Sequence, residues 1–383
     1  MTEIAAAAAI NMRTAVVILN WNTEGFLKEF LPSLICSCNK VEGAEVIVAD
    51  NASTDGSMKV MKDIFPEVRT LQFEKNLGFT GGYNKAFEEL YSDESSPEYF
   101  ILINSDIEVT ENWLEPLISW MDSHPECGAC APKLHSWQDK DKFEYAGAAG
   151  GYIDKYGYPF CRGRVLKKLE KDNGQYDLPA DVFWATGACL MLRSRLFHEL
   201  KGLDERFFAH MEEIDLCWRL QLSGHKVTIV PQSLVYHVGG GTLPQSSPFK
   251  LFLNYRNNLL MLDNNLAKTF ALELYGKGEE HTKAAKRGKR KAEWMIRYRM
   301  TLDGLSACVY LMTLNIGDFK AVVKAHKEYR KLRKSPSVSE IDKFLTESER
   351  TIKVIGIYKK WIVLKSIIEG SRIFASIKEV DFR

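Results

Sequence analysis

The sequence predicts an α/β fold whose strands deliver their polar ends to one edge of a sheet, and three observations carry that expectation. Short apolar runs alternate with helical patterns through the first hundred residues, each run stops at a polar step, and a glycine-rich turn opens the third helix. The first run, 15–19, passes into Asn20-Trp21-Asn22 and reads as a buried strand ending in a polar loop. The second, 45–49, ends in Asp50-Asn51-Ala52-Ser53-Thr54-Asp55-Gly56-Ser57. A third strand over 68–73 leads into Asn76-Leu77-Gly78-Phe79-Thr80-Gly81-Gly82, where glycine lets the backbone approach a ligand closely. The helix that follows is expected to offer free N–H groups to an anion. The fourth run, 99–103, closes in Asn104-Ser105-Asp106. Open α/β sheets bind ligands at this carboxyl edge. A carboxylate held there can ligate a hard cation, which in turn can carry a nucleotide diphosphate.

Three later segments bear chemistry. Phe207-Phe208-Ala209-His210-Met211-Glu212-Glu213-Ile214-Asp215 holds three carboxylates within four residues, interleaved with apolar side chains that push at least one acid inward. Crowded, part-buried carboxylates have raised pKa values, which suits a general base. The run Val235-Tyr236-His237-Val238 reads as a late strand ending near three glycines. Trp184-Ala185-Thr186-Gly187-Ala188 is a turn before a strand over 189–192.

Taken in order, "VVILNWN", "VIVADNASTDGS", "NLGFTGGYNKA", "FILINSDIEV" and "FFAHMEEIDLCWRL" resemble the family 2 glycosyltransferases over roughly residues 14–262, and within them enzymes like the rhamnosyltransferases of bacterial cell-surface polysaccharides. The resemblance implies the GT-A nucleotide-sugar-binding fold, a Rossmann-like mixed sheet flanked by helices, with a helical C-terminal extension. It implies an inverting, metal-dependent transfer from a nucleotide-diphosphate sugar, dTDP-rhamnose or a UDP-sugar, to a glycan or lipid-linked glycan. Asn20, Asp50, Asn51, Asp55, Asn76, Gly78, Asn104, Ser105 and Asp106 fall at the nucleotide site. Asp50 is placed to accept from a uracil or thymine ring N–H, although Asp50 and Asp55 also suit closing their own loop.

Asp106, with Asn104 where the family has a first aspartate, is expected to bind Mg²⁺ or Mn²⁺ together with His237, a histidine that otherwise needs only a hydrogen-bond partner. Glu213 stands at the position of the base, where aspartate is more common, with Glu212 and Asp215 orienting the loop and its neighbours. Trp184, Thr186 and Gly187 fall under the acceptor or donor sugar, or form a plain buried turn. Arg256 falls where it can clamp a diphosphate, or make a surface salt bridge. Two other readings are a catalytically silent nucleotide-binding scaffold and a sugar nucleotidyltransferase. The joint presence of Asp106, Glu213 and His237 argues against the first. The loop Asn20-Trp21-Asn22-Thr23, which is not basic, argues against the second.

At 383 residues and 45% apolar, the chain can bury a large core plus an appendage. A net charge of +1 gives no bulk attraction to nucleic acid. Residues 1–12 carry an alanine run and Glu3 but no basic stretch, so a flexible start is expected rather than a leader. The eight cysteines, including Cys127 and Cys130, read as reduced thiols. The expected organisation is a flexible segment over 1–13, a catalytic domain over 14–265 and a basic amphipathic helical extension over 266–383. In that extension Trp294, Met295, Ile296, Tyr298, Met300, Leu302 and Leu305, then Phe319, Val322, Val323, His326 and Tyr329, form apolar stripes beside many lysines and arginines. Such helices suit docking on an anionic membrane surface, here the inner face of the cytoplasmic membrane, or else packing on the catalytic domain or a homodimer contact.

Overall fold

A computed structural model describes residues 12–91, 96–239 and 247–383. The expectation for the first residues lies outside that range. In chain order the strands are β1 Thr14–Asn20, β2 Ala44–Asp50, β3 Arg69–Gln72, β4 Tyr99–Ile103, β5 Ile107–Val109, β6 Cys127–Ser136, β7 Gly151–Asp154, β8 Pro159–Cys161, β9 Arg164–Val165, β10 Lys168–Leu169, β11 Ala180–Asp181, β12 Cys189–Arg193, β13 Lys226–His237 and β14 Ile357–Tyr358. The helices are α1 Glu24–Cys38, α2 Ser57–Ile64, α3 Gly78–Tyr91, α4 Leu114–Ser123, α5 Ser194–Glu199, α6 Glu212–Leu222, α7 Pro248–Gly276, α8 His281–Met312, α9 Ile316–Leu332, α10 Val338–Glu347, α11 Ile362–Glu369 and α12 Ile373–Ser376.

The large sheet runs β11-β13-β6-β12-β4-β1-β2-β3, with β5 paired to β13. Its β4-β1-β2-β3 half is parallel, β12 is antiparallel to both neighbours, and β13 is parallel to β6. Strand side chains alternate between faces. Val17, Phe100 and Leu102 therefore join one core, while Val16, Ile18, Ile101 and Ile103 join the other. The first core is covered by α3, α5, α6 and α7, the second by α1, α2 and α4. Phe87 of α3 stacks on Phe100 at 4.1 Å between centroids.

Register levels the polar ends: Asn20 lies opposite Asp50, and Asp50 opposite Gln72. The pairing of His237 with Ile107 sets the end of β13 beside Asp106. Three layers of helix, mixed sheet and helix result, as expected.

The second sheet, β10-β9-β8-β7-β14, takes its last strand from near the chain's end, with Ile357 opposite Ile153. Residues beyond 265 are thus woven into the domain, and the expected boundary at 265 falls inside the continuous helix α7. Helices α7 and α8 approach closely at Gly288, where a Cβ would stand 2.6 Å from the backbone nitrogen of Ala271. Of the expected tail stripes, Ile296, Leu302, Val322 and Tyr329 are buried inside the protein, whereas Trp294, Leu305 and Val323 are exposed. Among the described residues no helix is long and apolar enough to cross a membrane. All eight cysteines are free thiols.

Candidate active site

The levelled strand ends line a cavity of about 440 Å³. Its walls include Asn51, Asn76, Gly78, Asn104, Ser105, Asp106, Thr186, Gly187, Glu212, Glu213 and His237 from the sequence expectation. Asn20, Asp50, Asp55, Trp184, Asp215 and Arg256 are not among its lining residues.

At the β2 end, Asn20 Nδ2 donates to Asp50 Oδ1 (2.7 Å) and the Ser53 amide donates to Asp50 Oδ2 (3.0 Å). Both carboxylate oxygens of Asp50 are thereby engaged, and the residue is 3% exposed. Asp55 accepts from the amides of Glu24 and Ser57, each at 3.0 Å, tying α1 to α2. Asn51 reaches the glycine turn: its Oδ1 accepts from the Leu77 amide (2.9 Å) and its Nδ2 donates to Gly78 O (3.0 Å). Gly78 has φ +73°, and a Cβ there would strike the Phe208 ring at 2.5 Å. The start of α3 is already occupied, because the amides of Phe79 and Thr80 donate to Phe208 O at 2.8 and 3.2 Å. Those two amides are therefore not free to meet an anion.

In the middle of the cavity, His237 Nε2 lies 3.2 Å from Asp106 Oδ1 and 3.4 Å from Asn104 Nδ2. Its Nδ1 lies 3.4 Å from Glu144 Oε1. All three ionisable side chains are buried. Burial alone would lower the His237 pKa, but the two carboxylates outweigh it and push the imidazole up to about 10. For Asp106, burial raises the pKa and His237 lowers it further than that, so the carboxyl sits below its usual range. Glu144 was not singled out in the sequence; its only signal is an acid set among Phe143, Tyr145 and small residues.

This donor set fits a hard divalent cation. One imidazole nitrogen and one carboxylate converge, and the other imidazole nitrogen faces a buried acid, as metal-bound histidines typically do. Among the described residues no three His, Cys, Asp or Glu side chains cage a cation by themselves. Mg²⁺ and Mn²⁺ sites commonly complete themselves with substrate phosphate and water.

The third group hangs on a strained loop. Phe208, His210 and Met211 have φ of 66°, 71° and 74°, left-handed values that cost non-glycine residues energy. The loop is pinned from behind by α7. Asn257 Nδ2 donates to the carbonyls of Phe207, Ala209 and His210 at 2.9, 2.8 and 2.8 Å, and Arg256 Nη2 to Phe207 O at 2.7 Å. Arg256 is therefore a loop support. Glu212 and Glu213 follow at the start of α6, each with a buried Oε2 lacking any hydrogen-bond partner. Burial pushes Glu213 up to about 7. Burial and the neighbouring Glu213 charge push Glu212 well above the usual carboxylate range.

Burial, aided by Lys250, lowers His210 to about 4, and its Nε2 is also buried without a partner. Asp215 points the other way, accepting from Arg219 (2.7 Å), Asn264 (2.9 Å) and Asn265 (2.8 Å). Trp184 lies buried, its Nε1 donating to Tyr152 O at 3.0 Å. Among the described residues lining the cavity Lys250 is the one lysine or arginine, and the sequence reading did not single it out.

Residues 15–200 match the glycosyl transferase family 2 model. The chain carries a family 2 glycosyltransferase domain. Its relatives include the N-acetylglucosaminyl-diphospho-decaprenol L-rhamnosyltransferase of Mycobacterium tuberculosis H37Rv, 28% identical over 235 residues, which span 58% of this chain and 75% of that protein. Rhamnosyltransferase WbbL of Escherichia coli K12 is 23% identical over 226 residues, 58% of this chain and 82% of its own length. Among solved structures, GalNAc-T7 with UDP, GalNAc and Mn²⁺ superposes with a TM-score of 0.51 at 15% identity, over 75% of this chain and 56% of that one. That likeness bears on fold, and the glycosyltransferase has the GT-A architecture expected of it.

Proposed function

We propose that this glycosyltransferase is an inverting, metal-dependent enzyme that moves a sugar, rhamnose from dTDP-rhamnose or the sugar of a UDP donor, onto a lipid-linked glycan. The observation that carries this reading is the pair Glu212 and Glu213, each with a buried Oε2 that lacks a hydrogen-bond partner, on one wall of a cavity that also holds Asp106 and His237. The nucleoside rests against Asn51, Asn76 and Gly78, with Asp50 and Asn20 behind them and Asp55 closing the loop. Asn104 and Ser105 face the donor. Asp106 and His237 would hold Mg²⁺ or Mn²⁺, which when bound would neutralise diphosphate charge; Glu144 orients the imidazole.

Glu213, poised near neutrality by burial, takes the proton of the acceptor hydroxyl. The resulting oxygen attacks the anomeric carbon from the face opposite the diphosphate, the bond from that carbon to the diphosphate oxygen breaks, and configuration inverts. Lys250 meets the departing negative charge, in the place foreseen for Arg256. The chain's contribution is mostly orientation and fixed charge in a part-dry cavity. Thr186 and Gly187 leave room for the sugar. The decaprenol named for the mycobacterial relative supports a lipid-linked acceptor, and with it a location on the inner face of the cytoplasmic membrane.

A panel of nucleotide sugars, scored by thermal shift and by hydrolysis with and without Mn²⁺, tests the proposal. It expects one dTDP- or UDP-sugar to stabilise the protein in a Mn²⁺-dependent way. No stabilisation by any nucleotide sugar would refute it.

A further inference from the structure

Helix α8 has a second apolar face, and it turns away from the protein. Trp294, Tyr298, Leu305, Val309 and Met312 recur at the spacing of one helical stripe. Trp294 is 61% exposed and stacked on Tyr298, and Met312 is 75% exposed. The corner into α9 adds Leu314, 82% exposed. This is a different surface from the Ile296 and Leu302 face that packs inward. Large apolar side chains exposed together along one helix face point to an interaction site.

Charge says what it meets. Between residues 290 and 327 the sequence holds three acids, Glu293, Asp303 and Asp318, and Asp303 is fully buried against Arg299 at 2.9 Å. Arg290 and Arg297 on α8, and Lys320, Lys324 and Lys327 on α9, are exposed. A second copy would bring the same positive charge to the same face and be repelled. An anionic bilayer matches both the apolar stripe and its basic flanks. The corner also adjoins the cavity rim: a Cβ on Gly317 would stand 3.4 Å from Pro248, the residue before Phe249 and Lys250 in the cavity lining.

We propose that the outward stripe of α8 and the α8–α9 corner dock on an anionic lipid surface, seating the cavity rim where a lipid-linked acceptor is presented. The delivery of acceptor rests on the transferase reading; the docking does not. Cosedimentation of the full chain with phosphatidylcholine vesicles, with and without phosphatidylglycerol, is the test, alongside the variant V309S/M312S. The parent is expected to bind vesicles containing phosphatidylglycerol and to release them as salt rises. The double variant should bind at least about tenfold more weakly and keep its nucleotide-sugar thermal shift.

Equal binding to both vesicle types, or a double variant that binds like the parent, would overturn the docking. So would a parent dimer in sedimentation equilibrium that the double variant dissociates, which would assign the face to a second copy. Vesicle binding retained by a chain that recognises no nucleotide sugar would refute the transferase reading alone.

Discussion

Glu213 sits in surroundings that tune a carboxylate for proton abstraction near neutral pH. Its pKa rises from 4.5 to about 7 because burial penalises the charged form. The rate should therefore rise with pH through neutrality as the base ionises. Stability should move the other way: the folded state holds the proton more tightly than the unfolded one, so stability falls between about pH 4.5 and 7 and stays reduced above. Glu213→Gln should cut transfer by about 10²–10⁴-fold, leave donor binding near that of the parent, and raise unfolding free energy by about 1–3 kcal/mol at alkaline pH. Urea titrations across pH, paired with initial rates, check both signs.

A second prediction concerns Glu144. Glu144→Gln should weaken Mn²⁺-enhanced nucleotide binding by about 10–100-fold in calorimetric titration, with Asp106→Ala costing more. Motif reading pointed to Asp106, His237 and Glu213 because each lies beside a strand end or in the first turn of a helix. It missed Glu144 and Lys250, which reach the cavity only through tertiary folding. It included Asp215 by proximity in sequence, but two residues along a helix turn a side chain by roughly 200°, so Asp215 faces α7 instead.

Helix α7 acts on the site as a rigid bar. Its asparagines hold the two ends of one stretch, Asn257 the strained 207–210 carbonyls and Asn264 and Asn265 the buried Asp215. Asn257→Asp keeps the volume but removes the donors and sets a carboxylate against three carbonyls. Turnover should fall by about tenfold or more, while the donor's thermal shift persists. Equal losses in donor affinity and turnover would mean general collapse instead.

The same helix explains why the sequence left the tail open between packing and docking. Periodicity reveals that a helix has an apolar stripe, but not what covers it. Here α7 covers one stripe of α8, burying Ile296 and Leu302. A chain cut after residue 265 would end within α7 and leave Leu259, Leu260, Met261 and Leu262 without their covering helices, so it should be insoluble when expressed. A soluble, cooperative unfolding transition from that fragment would restore the idea of a separable catalytic domain.

At the scale of the whole molecule, the chain returns to what it built early. β14 adds to the hairpin strand β7, and the Ile362 amide donates to the buried Asp154 at 3.0 Å. The layered α/β half was legible because strand ends and turn residues are local signals. The return of β14 was not, because two short strands about two hundred residues apart share no local pattern. Ile357→Asp should consequently lower the melting temperature by several degrees and raise hydrogen exchange over 151–161, with less effect on the β1 and β4 amides.

The left-handed backbone at Phe208, His210 and Met211 has an implication for anyone who tries to harden this enzyme. Each such residue costs of order 1 kcal/mol or more, so glycine or asparagine at 210 or 211 is an accessible route to greater heat tolerance. Screens that reward survival alone should enrich those changes, and the survivors should turn over slowly, because the released loop no longer aims Glu212 and Glu213. Residual activity after heating, plotted against turnover before it, should slope downward at these positions and be flat at exposed sites elsewhere.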